Sequence, residues 1–261
     1  MRGERVVGAV LRLRWVLLGT GLFVIVAAQV VAGGWLTTWD VGTLEWFVAH
    51  RSDGWSTAAR EFTFFGNPGR ATVVAAAVAG FVGWRARDWR AAVLIAGTVA
   101  GAAFAGAILK QVLDRPRPPA GTRMTVVTNM SFPSGHAGAT TALVGVVLLT
   151  YLSSRPGRLR GWGAVVLGAV LVITMCLTRL YLGVHWLTDV VGGTILGGTA
   201  VAIAAVAQAH WRPRFGKAPG TGPVDIVTAG EKPLADTARR TPPGNNGDGP
   251  APNQTDGMNR R

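Results

Sequence analysis

The sequence predicts an all-α protein, a polytopic bundle of six transmembrane helices with an interfacial helical segment after the first. Apolar runs close to the roughly 20 residues that cross a bilayer recur along the chain. Of its 261 residues, 49% are hydrophobic and only 15% charged. The charges are also bunched at the ends of the apolar runs, whereas a soluble surface intersperses them.

Residues 1–14 carry Arg2, Arg5, Arg12 and Arg14 and are expected to form a cytoplasmic N-terminus. The apolar run from about Trp15 to Ala32 reads as a signal peptide or as a retained first helix; its length exceeds a signal core and favours the helix. Further spans are predicted near Ala71–Trp84, Ala91–Leu113, His136–Leu152, Trp162–Thr178 and His185–Ala207. The second is short. It crosses only by including the Asn67-Pro68-Gly69 turn region or by sitting in a thinned bilayer.

Lys and Arg in short loops favour the cytoplasmic side. The loop after the second span holds Arg85, Arg87 and Arg90, the loop after the fourth holds Arg155, Arg158 and Arg160, and the tail begins with Arg212, Arg214 and Lys217. With the N-terminal arginines, all of these fall on one side of a six-span chain. Both termini are then cytoplasmic, in the plasma membrane, with the loops after spans one, three and five facing outward. The net charge of +13 is thereby accounted for by topology, and no nucleic-acid partner is expected.

Between Gly34 and Gly69, Val41, Leu44, Val48, Trp55, Ala59 and Phe62 recur at near-helical spacing beside Trp35, Trp39 and Trp46. An interfacial helix or pair of helices fits, serving as an aromatic belt at headgroup depth or as a lid. The membrane domain is expected over 15–208. Residues 209–261, rich in Pro, Gly, Asn and Thr, are expected to be a disordered cytoplasmic tail. Cys176 is the one cysteine, so no intrachain disulfide can form, and its apolar setting reads as a buried inert thiol.

Three clusters carry the chemistry, and in this topology all lie at the outer ends of helices: Lys110 with Arg117-Pro118 seven residues on, Pro133-Ser134-Gly135-His136, and Thr178-Arg179 followed by His185 and Asp189. Singly, each has an ordinary reading. Lys110 and Arg117 suit headgroup contacts, Ser134-Gly135 suits a helix cap, and His185 with Asp189 suits a satisfied polar pair. Their convergence on one face of a chain poor in charge points to function instead, because ionisable groups at membrane depth are costly.

A phosphate dianion fits such a set. Lys110, Arg117 and Arg179 would neutralise it, the guanidinium forks matching phosphate oxygens. Ser134 and Gly135 at a helix start offer backbone N–H groups and the positive end of the dipole. His185 and Asp189, four apart, would share a face of the sixth helix. The carboxylate then orients one ring nitrogen while the other attacks phosphorus, and His136 protonates the departing lipid oxygen. Asp114, Arg115 and Arg123 read as loop or gate charges.

Together the clusters resemble the three-part signature of type 2 phosphatidic acid phosphatases, matching at every position except Thr178, where serine is usual and the hydroxyl is kept. The resemblance covers roughly Trp15 to Ala207. It implies that Lys110, Arg117, Ser134, Gly135 and Arg179 bind phosphate, that His185, His136 and Asp189 are catalytic, and that His185 becomes a phosphohistidine. It also implies lipid phosphates as substrates, membrane lipids as surroundings, and neither metal nor other cofactor. Vanadium haloperoxidases share that pocket but are mainly soluble. A lipid-phosphate binding protein with a degraded site would not keep both histidines and the aspartate.

Overall fold

The computed structural model describes residues 2–87, 89–153 and 157–211. Eight α-helices form among them: α1 (Arg2–Val31), α2 (Thr38–Ala49), α3 (Asp53–Phe65), α4 (Pro68–Ala86), α5 (Trp89–Leu113), α6 (Gly135–Ser153), α7 (Arg158–Tyr181) and α8 (Leu187–Trp211). The described residues contain no strand. That follows from the bilayer requirement that backbone polar groups bond within their own segment.

Five stretches are long and apolar enough to cross a membrane: Arg12–Val31 of α1 and the whole of α5, α6, α7 and α8. The segment expected as the second span is α4, which falls short of that standard for a simple reason. Between Arg70 and Arg85 its apolar stretch covers only 71–84, about 21 Å of helix against a hydrocarbon core of about 30 Å. Ala71, Ala75 and Ala79 on α4 are buried, and the last two join Ala92, Ile95 and Val99 of α5 in the core. Small side chains let the helices approach, as packing in lipid requires.

Helix α8 is central and lies against α1, α5 and α6. Its closest approach is to α6, where a Cβ on Gly193 would collide with the Ser134 carbonyl and one on Gly197 with the Gly138 carbonyl. The segment at 34–69, expected as an outer interfacial segment, forms two α-helices, α2 and α3, both packed on α7. A break at His50–Ser52 separates them, Ser52 taking extended backbone before α3.

The two ends of the bundle differ. At one, Arg90 donates to the Trp211 carbonyl (3.1 Å) and Ser153 to Gln208 Oε1 (3.0 Å). At the other, the C-termini of α5 and α7 meet the N-termini of α6 and α8 around the clusters named above.

Two expectations need correction. His185 is not on the sixth helix, because α8 begins at Leu187. Helix α7 closes with Leu182, Gly183 and Val184 donating back to Thr178, Leu180 and Arg179, and Gly183 turns the chain with φ +66°. The histidine therefore sits in a tight linker, held by its neighbours. At the other end α8 runs on to Trp211, past the expected boundary at 208. The rest of the expected tail, with Arg212, Arg214 and Lys217, lies outside the described residues, as does Arg155.

Candidate active site

The site is built on the first turn of α8, whose leading N–H groups have no partner within the helix. Asp189 Oδ2 accepts from the Trp186 N–H (2.9 Å), the reach-back of a capping box, and Asp40 Oδ1 on α2 accepts from the Thr188 N–H (2.9 Å). Both carboxylates sit at the positive end of the helix dipole. The Ser134 N–H donates to the Asp189 carbonyl at 2.9 Å, which fixes the start of α6 to the start of α8.

His185 is 2% exposed, and its Nδ1 lies 3.3 Å from Asp189 Oδ2. That contact assigns the proton to Nδ1 and turns the Nε2 lone pair toward Arg117 Nη1, 3.2 Å away. Burial, reinforced by Arg117, Arg179 and Lys110, pushes the His185 pKa well below its ordinary 6.5. The ring is thus neutral at pH 7, the form that can act as a nucleophile.

Arg117 is held in the loop after α5. Burial lowers its pKa from 12.5 to about 10, so it keeps its charge at pH 7. Its fork is fully engaged, donating to the Asn129 carbonyl and Oδ1 (both 2.6 Å), to the Met130 and Val184 carbonyls, and to His185. Lys110 gives two of its three donors to the Met130 (2.6 Å) and Ser131 (3.1 Å) carbonyls. Arg179, 3% exposed, donates from Nη1 to Thr63 Oγ1 on α3 (2.6 Å).

Lys110, Arg117, Gly135, His136, Arg179 and His185 line one cavity of about 260 Å³. Ser134 lines an adjoining cavity of about 170 Å³ together with Lys110 and Gly135. Asp189 is wholly buried behind His185. Every residue expected at the site is brought to it. One expected detail differs: Ser134 Oγ has no hydrogen-bond partner, so it does not cap α6. It and Arg179 Nε are buried polar atoms left unpaired at the site, an uncommon condition that a bound anion would relieve. Among the described residues no group of three or more His, Cys, Asp or Glu could hold a metal ion.

The family model described as the PAP2 superfamily matches residues 91–214. Decaprenylphosphoryl-5-phosphoribose phosphatase of Mycolicibacterium smegmatis is 38% identical over 143 residues, 52% of this chain and 70% of that protein. The chain belongs to the PAP2 superfamily.

The Mycobacterium tuberculosis protein of the same name is 41% identical over 123 residues, 46% of this chain, and the match spans 60% of that relative's length. Phosphatidylglycerophosphatase B of Bacillus subtilis is 31% identical over 91 residues, 34% of this chain and 44% of that protein. The fold matches the crystal structure of a transmembrane PAP2 type phosphatidylglycerolphosphate phosphatase from Bacillus subtilis, with TM-score 0.69 and 20% identity over 77% of this chain and 98% of that one.

Four contributors escape a reading of the three clusters. Asn129 holds Arg117, and Thr63 holds Arg179. Asp40 and Arg115 are joined to Asp189, Arg115 lying 2.6 Å from each carboxylate. Arg115 is therefore part of the site's support and not the loop charge its position suggested, while Asp114 is exposed and Arg123 donates to the Pro118 carbonyl (2.6 Å). The available signal for Asp40 was an acid among tryptophans in a largely apolar segment that also holds Glu45.

Proposed function

We propose that this chain is a membrane phosphatase that removes a terminal phosphate from a lipid, without a metal, through a phosphohistidine at His185. One observation carries the proposal: the cavity is lined by three cations and two imidazoles and by no carboxylate. A phosphate dianion is the group that such a lining stabilises, most strongly as charge shifts in the transition state. Arriving phosphate draws Arg117 Nη1 off the Nε2 lone pair onto its own oxygen, freeing the nucleophile. Nε2 then bonds to phosphorus as the bond to the lipid oxygen breaks, and His136 gives that oxygen its proton. Water next attacks phosphorus, His136 takes the water's proton, and inorganic phosphate leaves His185. Lys110, Arg117, Ser134, Gly135 and Arg179 hold the phosphate throughout.

The substrate class rests on the relatives' names, which join a phosphoribose to a decaprenylphosphoryl group or a phosphate to phosphatidylglycerol. A prenyl-linked phosphate is the first candidate. Isoprenoid diphosphates, phosphatidylglycerol phosphate and phosphatidic acid complete the panel. The purified full chain, in detergent with EDTA, is expected to release phosphate from at least one of them, and His185→Ala to release none. Absence of release from the whole panel would refute the phosphatase reading, and release that EDTA abolishes would refute metal independence.

In the proposed topology α4 is the second of six spans, crossing a thinned bilayer, α2 and α3 lie at the interface, both termini are cytoplasmic, and the cavity opens outward. Arg123→Cys and Arg158→Cys, each in a Cys176→Ser background, are then labelled from opposite sides of intact cells. Labelling of both from one side rejects this arrangement.

A further inference from the structure

Asp40 belongs to α2, outside the residues 91–214 that the family model matches, yet it is 3% exposed and every one of its contacts leads to the site. Oδ1 accepts the Thr188 N–H (2.9 Å), and Oδ2 accepts the Thr188 hydroxyl (2.8 Å) and Arg115 Nη2 (2.6 Å). From its other nitrogen Arg115 donates to Thr188 Oγ1 (2.7 Å) and to Asp189 Oδ1 (2.6 Å). The remaining oxygen of Asp189 faces His185.

The charges in this row decide its effect. Asp189 paired with Arg115 alone would be a neutralised carboxylate, with little negative charge left to support a ring that becomes cationic when it bonds to phosphorus. Asp40 supplies the second carboxylate. The guanidinium is then shared between two acids, and the row Asp40–Arg115–Asp189 keeps a net charge of about −1 beside His185 Nδ1. Geometry adds to this, because the planar fork of Arg115 fixes Asp189 Oδ1 and so aims Oδ2 at the ring.

We propose that Asp40 and Arg115 are positioning residues that orient Asp189 and preserve its charge, making α2 a working part of the nucleophile's support. The proposal rests on His185 being the nucleophile. It predicts that losing either residue slows transfer of phosphate to His185 and leaves phosphate binding intact, since neither residue lines the cavity that holds the cations.

The test measures phosphorylation of His185 with lipid phosphate radiolabelled in its terminal phosphate, quenched into alkaline detergent in which the histidine N–P bond survives, together with KM and inhibition by inorganic phosphate. Asp40→Asn and Arg115→Gln are each expected to slow phosphorylation by about 10–100-fold, the loss typical when an outer hydrogen-bonded partner of a metal-binding histidine is removed, carried over to this indirect support of His185. KM and the phosphate inhibition constant should stay within about threefold of wild type, a shift of less than about 1 kcal/mol in binding. In Asp40→Asn/Arg115→Gln the losses should not multiply, because the unbalanced cation is gone as well. If Asp40→Asn does not fold, Arg115→Lys carries the test: it keeps the charge and loses the fork, and the same slowing is expected. Phosphorylation within threefold of wild type in any folded single variant overturns the proposal. So does a parallel loss of phosphate inhibition, or multiplying losses in the double variant. Absence of any label on His185 in the wild type is a different failure, that of the phosphohistidine itself.

Discussion

Helices α5–α8 and the loops between them supply the cations and imidazoles that line the cavity, whereas α2, α3 and the turn between them supply groups that hold residues of that site from behind. Thr63 on α3 lies under Arg179, and Asp40 on α2 lies under Thr188 and Arg115. Between α2 and α3, Arg51 donates to the Tyr181 (3.0 Å) and Thr122 (2.7 Å) carbonyls, securing the turn after α7 and the loop before α6. The half that lines the cavity carries charge with no acid among the lining residues. Behind it, Asp40 and Thr63 accept from donors of that half, and Arg51 donates to its carbonyls. The cavity lining comes almost wholly from one stretch of the chain and its support from both, Asn129 and Arg115 in the first and Asp40, Arg51 and Thr63 in the second, which lies outside the family match.

The sharpest way to break that comparison is to remove the proposed nucleophile. His185→Ala is expected to lose all turnover, with lipid and aryl phosphates alike, because the covalent route is gone whatever the leaving group. Surviving turnover of p-nitrophenyl phosphate would mean that another residue attacks phosphorus. His136→Ala should differ in kind. General acid catalysis is worth about 10²–10⁴-fold, so that loss is expected with a lipid alkoxide and a much smaller one with the aryl phosphate, whose phenolate leaves unaided. Equal losses on both substrates reject His136 as the acid.

A pH profile probes the same half with a smaller effect. His185 has its pKa depressed below 6.5, chiefly by burial, so it stays neutral as pH falls through 6.5, and the acid limb it contributes to kcat/KM lies below that value. Arg117→Gln removes one of the cations that hold the value down. Its limb should move up toward 6.5, and a limb that stays fixed or moves down contradicts the stated role of the arginine.

The smallest effect is expected in the supporting half. Thr63→Val removes one hydrogen bond from buried Arg179 and keeps the side chain's shape. A loss of about 1 kcal/mol, or roughly fivefold in KM, is expected, with kcat little changed. A collapse of kcat would erase the distinction between facing and supporting residues, since Thr63 would then act in the chemical step.

The sequence by itself determined the helical class, the places where the chain is apolar enough to cross a membrane, and the eight candidate site residues that lie within the three clusters. It did so because bilayer thickness fixes the length of an apolar run, and because phosphate chemistry demands cations and imidazoles that an apolar chain otherwise avoids. It was less decisive at α4, where arginines shorten the apolar run, and it misjudged His185, assigned to a helix when Gly183 and the closing bonds of α7 put it in a linker. Only the tertiary structure decided that Arg115 is shared by Asp40 and Asp189, that Thr63 reaches Arg179, and that Ser134 points an unpaired hydroxyl at the site instead of capping α6. These contacts join residues 74, 75 and 116 positions apart, or depend on an exact lack of neighbours, and neither carries a periodicity or spacing along the chain. A hydrogen bond is made by whatever atoms the packed helices bring within about 3 Å, and that meeting exists only once α2, α3, α7 and α8 have folded together.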